Sequence, residues 1–453
     1  METRANATKD MTIGGPARTL FWFAVPMVLG NIFQQFYNII DSMVVGNFVG
    51  ADALAAVGAS TAFTMLFIAV ATGAGIGSSV VVSQFFGSKR LEEMMTSIYT
   101  ALITIFVVSL ILAGIGLLCG GWALKFMNTP GHIFEESLTY LRIYLLGLPF
   151  LFMFNILNSV FNALGVSKIP LLLLGACSVL NIFLDLLFVT KFQMGVAGVA
   201  WATLIAQGVS AVISFIWLMI RLKRIQVKKE FPKFDAAILK EMCYVAVPSI
   251  IQQSIVSIGQ LAVQGLVNSF GSASMAGYTA ATKIDMIAIM PMVNVGNAVS
   301  TFTAQNIGAK KPERVKQGFR AGVAMNFAIA FTITAALFLF GETFIGAFVD
   351  SASNQEVIRV GVEYLRVVGM FYFLMGFMNM NNGVLRGSSD MKVFMLSTLC
   401  NFTARVVFAY LLAATSLGMK AIWWSIPTGW MIGSIISFSR YLSGKWKEQA
   451  RIG

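Results

Sequence analysis

The sequence is short of charge. Only 11% of its 453 residues are Asp, Glu, Lys or Arg, against about 25% in soluble domains. No long polar stretch leaves room for a hidden soluble domain. A single histidine, His132, falls in a predicted loop and reads as incidental, and the four cysteines (Cys119, Cys177, Cys243, Cys400) are scattered with no CxxC pair. They read as small packing residues. Neither HExxH nor GxSxG occurs, which argues against a zinc or serine intramembrane protease. Gly73, Gly75 and Gly77 in ATGAGIGSS miss the spacing of both common phosphate-binding loops and suit close helix packing. ATP is therefore not expected to be a direct energy source within this chain, and no cofactor is expected. The opening METRANATKDMTIGGPAR is polar, with no cleavable signal, so the first apolar segment itself is expected to direct insertion.

What the chain does have is apolar length. Hydrophobic residues make up 57%, with 38 Phe and 41 Gly, and the mean hydropathy is +0.78. This is the composition of an all-α polytopic membrane protein, because only helices or closed barrels satisfy their backbone in lipid. Twelve apolar segments are long enough to span: 18–44, 53–82, 94–119, 138–160, 170–190, 196–220, 240–268, 275–305, 316–340, 358–382, 393–414 and 420–442. The net charge of +12 would point to nucleic acid in a soluble protein. Here the basic residues gather in a few short loops. With the N-terminus placed in the cytoplasm, 24 of the 32 Lys and Arg fall inside and six outside, so both termini are expected to be cytoplasmic and no nucleic-acid partner is expected. The expected setting is the cell (inner or plasma) membrane, multi-pass, in contact with membrane lipid, as a monomer.

The chain also repeats itself. Ala24-Val25-Pro26 recurs as Ala246-Val247-Pro248. Ser83–Arg90 recurs as Ala304–Lys311, Tyr140-Leu141-Arg142 as Tyr364-Leu365-Arg366, and Asn162–Gly165 as Val384–Gly387. The offset stays near 222 residues. Six spans per half is an even number, so the halves run in the same direction. The expected organisation is a six-helix lobe over 1–220, a basic linker over 221–240 and a second six-helix lobe over 241–453. Two similar lobes around a cleft suit a carrier that opens to one side at a time.

The polar residues inside the spans differ between the halves. Gln34, Asn38 and Asp41, with Tyr37 beside them, share one face of the first helix. Asn181 and Asp185 lie four apart on the fifth, and Thr203 sits near the start of the sixth. Interhelical hydrogen bonds explain Asn and Thr but explain Asp poorly. A charged Asp at a helix centre costs about 2.5–3.5 kcal/mol, and no Lys or Arg lies in the apolar part of this half to pair with it. Burial and mutual repulsion both work against two charged acids. A proton solves that problem, and so does Na+ held by oxygens of Asp41, Asn181, Asp185 and Thr203. The second half carries Gln253 and Gln260 on its first helix, with Val263 where the repeat sets Asp41. Lys283 and Asp285 follow on the next helix and Arg405 on the eleventh. Asp285 is expected to pair with Arg405 or Lys283 as a buried ion pair, or else to contact substrate. Pro26 lies about four turns before Asp41 and is a hinge candidate.

These residues resemble those of the multidrug and toxic compound extrusion (MATE) family, over nearly the whole chain. The resemblance is carried by Pro26, Gln34, Asp41 and Val45-Gly46 with Leu54-Ala55-Ala56-Val57-Gly58. Further along it rests on Gln84 and Gly87, Asn181 and Asp185, Gly195-Val196-Ala197-Gly198 with Ala202-Thr203, Leu385-Arg386-Gly387 with Asp390, and Arg405. It implies the MATE/MOP-type fold of two pseudo-symmetric six-helix lobes, and export of small organic compounds, often cationic or amphipathic, by H+ or Na+ antiport. The DinF-like branch uses residues matching Asp41, Asn181, Asp185 and Thr203 as its cation site. The NorM branch relies on carboxylates in helices 7 and 10, whereas here the polar face of helix 7 carries no acid and the GMFYFLMGFMNMNNG stretch of helix 10 carries only asparagines. A lipid-linked oligosaccharide flippase of the same superfamily is the alternative. Such a flippase tends to need a cluster of cations in its cavity, and Lys283 and Arg405 are the cations found in these spans.

Overall fold

A computed structural model describes residues 8–225, 227, 230–347 and 355–449. Arg4, Lys228, Lys229 and Arg451, four of the basic residues counted above, lie outside them. Among the described residues the regular structure is entirely helical. The helices are α1 (Pro16–Val44), α2 (Ala51–Gly87), α3 (Leu91–Phe126), α4 (Gly131–Ala163), α5 (Lys168–Leu186) and α6 (Gly195–Lys223), then α7 (Ala236–Asn268), α8 (Ser272–Gly308), α9 (Pro312–Gly346), α10 (Gln355–Met370), α11 (Tyr372–Gly387), α12 (Met391–Ala413) and α13 (Lys420–Leu442).

Nine of these are long and apolar enough to cross a membrane on their own, and α10 with α11 forms one further span bent by 49°. Helices α1 and α13, of 29 and 23 residues, complete twelve segments of spanning length. The helices overrun the apolar segments, α3 by three residues at one end and seven at the other, because a helix need not stop where the hydrocarbon does. The bend falls at Phe371, whose backbone (φ −107°, ψ 10°) leaves the helical region. Large apolar side chains such as Leu118, Phe331 and Leu339 are more than 70% exposed, as lipid-facing positions require.

By internal packing the chain divides into two compact units. Unit 1 takes the described residues up to Asp10 and Leu29–Ile250. Unit 2 takes Met11–Val28 and everything described from Ile251 on. The division falls inside α1 and α7, two residues after Pro26 and two after Pro248, rather than in the 221–240 linker. The reason is visible in the packing of each unit. A Cβ on Gly77 of α2 would lie 2.6 Å from the Met242 carbonyl oxygen, and one on Gly73 would lie 2.8 Å from the Ile250 nitrogen. Small residues thus draw the first half of α7 onto α2, as the glycine run predicts. In unit 2 the Arg314 guanidinium donates to the carbonyls of Met11, Ile13 and Gly14, and Lys311 donates to that of Thr12. Leu20 reaches the α9 backbone at Gly322.

The repeat is reproduced in the turns. Gly50 joins α1 to α2 at φ +123° and Gly271 joins α7 to α8 at φ +97°. Glycine adopts both without the Cβ clash that another residue meets there. Within unit 1, α4 packs against α2, α3 and α6, and α5 against α6. Within unit 2, α8 packs against α9, α10 and α11, and α12 against α13.

Candidate ion-binding site of unit 1

Helix α1 delivers Asp41 and α5 delivers Asp185, and each helix then widens into a π-helical turn, Val45–Val49 and Leu187–Lys191. Such turns are rare and recur at functional sites. Val45 and Val189 from the two turns pack with Val196, Val199 and Ala200 of α6 and with Tyr140 of α4. This apolar cluster follows the two acids along both helices.

The Asp41 and Asp185 carboxyls lie within hydrogen-bonding reach of one another. Two carboxylates in that contact repel, so the arrangement needs a proton or another cation between them. Asn181, fully buried one turn before Asp185, braces the second acid. With its amide turned to match its neighbours, it donates to Asp185 Oδ2 at 2.7 Å and accepts from the Thr203 backbone N–H at 3.1 Å. The Tyr37 and Thr203 hydroxyls share a further hydrogen bond. Asp41 Oδ1 and Asp185 Oδ1 are buried with no donor facing them. Among the described residues neither acid forms an ion pair. Two undonated carboxyl oxygens, with amide and hydroxyl oxygens close by, fit a proton or a small hard cation.

The four residues expected at a cation site, Asp41, Asn181, Asp185 and Thr203, are thus brought together, and Tyr37 joins them. Gln34 and Asn38 are not drawn in. Both are exposed, and Asn38 donates to Gln35 within its own helix. Two participants escaped the sequence reading. Tyr140 stands in the field of both acids, and Tyr144 stacks on it with ring centroids 6.4 Å apart. The repeated Tyr140-Leu141-Arg142 was the available signal, since a polar aromatic held in both copies of a duplicated span has more to do than pack.

Unit 2 departs from expectation. Asp285 forms no ion pair with Lys283 or Arg405. Its oxygens accept from the hydroxyls of Tyr372 at 2.6 Å and Tyr364 at 3.3 Å. Arg405 instead hydrogen-bonds Tyr278. Lys283 and Gln260 are exposed and Gln253 is half-buried.

Twelve membrane-length segments in two repeated units, with carboxyls buried in apolar surroundings and no hydrolytic motif, define a polytopic membrane transport protein. The MatE family model matches residues 26–187 and again 248–411, one match per repeat, and the chain belongs to this family of transporters, which are not enzymes. It is 30% identical over 442 residues to "Probable multidrug resistance protein YpnP" of Bacillus subtilis, covering 97% of each chain. It is 24% identical to a protein of Thermotoga maritima called "Probable multidrug resistance protein NorM", over 96% of this chain and 94% of that one. Among solved structures, a MATE protein in complex with MaL6 superposes with TM-score 0.90 at 26% identity, over 97% of this chain and 99% of the other. A MOP superfamily transporter from Pyrococcus furiosus gives 0.89 at 25% identity, over 97% and 98%.

Proposed function

We propose that this protein exports small organic compounds, cationic or amphipathic and of multidrug type, by antiport against H+ or Na+ across the cell membrane, with both termini in the cytoplasm. The observation that carries the reading is the contact between Asp41 and Asp185 with no basic partner. Loaded with a cation from outside, the pair becomes neutral and tolerates the low-dielectric interior. Emptied, it carries charge that apolar surroundings disfavour by several kcal/mol. That difference biases the two conformations of an alternating-access cycle, because a ligand shifts an equilibrium only by its differential affinity.

Asn181 and Thr203 position Asp185, and Tyr37 links α1 to α6 at the same site. A bend at Pro26 moves the stretch from Gln34 to Asp41 relative to the start of α1, so unloading the acids and reshaping the helix become one event. Solved MATE structures at TM-score 0.89 and 25% identity are described as a bent conformation, a straight conformation and a P26A mutant, which supports a change of shape within this fold. The names of the relatives support a multidrug substrate range.

The test is dye accumulation in inverted vesicles holding the protein, with a pH gradient or a sodium gradient imposed one at a time. One of the two gradients should drive uptake. Uptake that is indifferent to both gradients sinks the antiport reading.

A further inference from the structure

We propose that unit 2 carries a proton site of its own, centred on Asp285 and built differently from the acid pair of unit 1. It deepens the antiport reading, and rests on it for its place in a transport cycle.

Asp285 lies seven residues after Tyr278 on α8, on the same face. Its Oδ1 accepts from Tyr372, the first residue of α11 after the bend, and its Oδ2 from Tyr364 of α10. The 49° break between those two helices is what lets both phenols reach one carboxyl. Tyr372, Tyr364 and Tyr278 are 0%, 1% and 3% exposed. Trp423 of α13 closes the group. It stacks on Tyr278 with ring centroids 5.7 Å apart and meets Tyr364 edge-on at 5.0 Å.

The titratable groups around Asp285 are few. On its own helix they are Tyr278 and the exposed Lys283; α10 supplies Tyr364, α11 Tyr372 and α12 Arg405. Helix α9 has none between Arg320 and Glu342, α13 none between Lys420 and Arg440, and α7 none beyond Ile251. The guanidinium bonds the Tyr278 hydroxyl, not the acid, and its Nε is buried without an acceptor. The carboxylate therefore has a cation in its field and none in contact.

That distinction decides what the site can bind. A carboxylate in contact with a guanidinium is neutralised permanently. Asp285 is held by phenols, and a phenol is both donor and acceptor. When Asp285 is charged, both hydroxyls donate to it. When it takes a proton from water, the new O–H donates to one tyrosine oxygen, whose own hydrogen turns away. No side chain has to leave. A hard metal cation wants about six or more oxygen ligands, and here one carboxyl and two phenols are on offer. The rings around it are buried, while Asp285 itself is half-buried, which leaves it open to exchange of a proton with water. A proton is the ligand that fits.

The repeat points the same way. Tyr364 is the counterpart of Tyr140, which stands beside Asp41 and Asp185. The duplicated tyrosine flanks an acid in both units, although the acids come from different helices.

The test is pH-induced infrared difference spectroscopy of the purified full chain in lipid, following the carboxyl C=O stretch between about pH 5 and pH 9, the span in which a perturbed carboxyl exchanges its proton. Wild type should show two separable carboxyl signals. Asp285→Asn should remove one and leave the other, and Asp41→Asn with Asp185→Asn should do the reverse. Tyr364→Phe or Tyr372→Phe, each of which keeps the carboxyl, should move the midpoint of the Asp285 signal by at least about one pH unit and leave the other in place. Carboxyl signals in Asp285→Asn identical to wild type would overturn the proposal. If the antiport reading alone is wrong, the Asp285 signal persists while gradient-driven transport is absent.

Discussion

The two units descend from one repeat yet treat buried charge in opposite ways. Unit 1 presses two acids from α1 and α5 against each other and leaves an oxygen of each undonated. Unit 2 has Val263, fully buried, where unit 1 has Asp41, and gives Asp285 two hydroxyl donors from buried tyrosines. An acid pair must acquire a cation to be comfortable. A phenol-bonded acid is satisfied in either state. Duplication supplied the scaffold, and substitution then separated an acid pair with undonated oxygens from a single acid held by two hydroxyls.

The largest expected effect follows from removing the demand. Asp41→Asn or Asp185→Asn should lower gradient-driven efflux by about tenfold or more, since each change removes a transition costing several kcal/mol that the cycle uses. Growth protection against a toxic cationic dye reads this out. The reciprocal change, Val263→Asp, places an acid in the apolar core of unit 2 with no Asn181-like brace. It should destabilise the protein by about 2.5–3.5 kcal/mol, seen as a fall in thermal unfolding temperature, and should create no second unit-1-type site. Thermal stability equal to wild type would erase the contrast drawn between the units.

A packing change comes next. Gly77→Val pushes a side chain toward the Met242 carbonyl and should cost about 1–3 kcal/mol, again read by thermal unfolding. The smallest effect is kinetic. Pro26→Ala and Pro248→Ala should each slow turnover several-fold while substrate affinity stays near wild type, because both prolines sit two residues before the boundary between units. A change in affinity without a change in rate would argue against a hinge at either place.

Much of this was legible in the sequence, for reasons that differ by residue. Asp41, Asn181, Asp185 and Thr203 stand out because polar groups amid apolar runs need a reason, and helical spacing puts the first three on defined faces. Tyr140 and Tyr144 do not stand out, because a tyrosine in an apolar helix reads equally well as packing. The partner of Asp285 was misjudged because charge suggests charge; that a phenol outcompetes Arg405 depends on the bend at Phe371, which no proline announces. The boundary inside α1 and α7 was hidden for a similar reason. Which neighbour a half-helix packs on is a property of distant glycines such as Gly73 and Gly77, not of the helix itself. Ten of the twelve spans are plain in hydropathy because lipid imposes the same requirement on each, whereas α1 and α13 carry more polar residues and stand out by length.

The central claim is that the facing acids of unit 1 are the place where the driving ion is exchanged. Its most direct test compares wild type and Asp41→Asn in the same vesicles by two assays, gradient-driven dye transport and dye binding at equilibrium. The account predicts that the variant still binds dye but no longer responds to the gradient that drives the wild type. Undiminished gradient-driven transport by Asp41→Asn would contradict it.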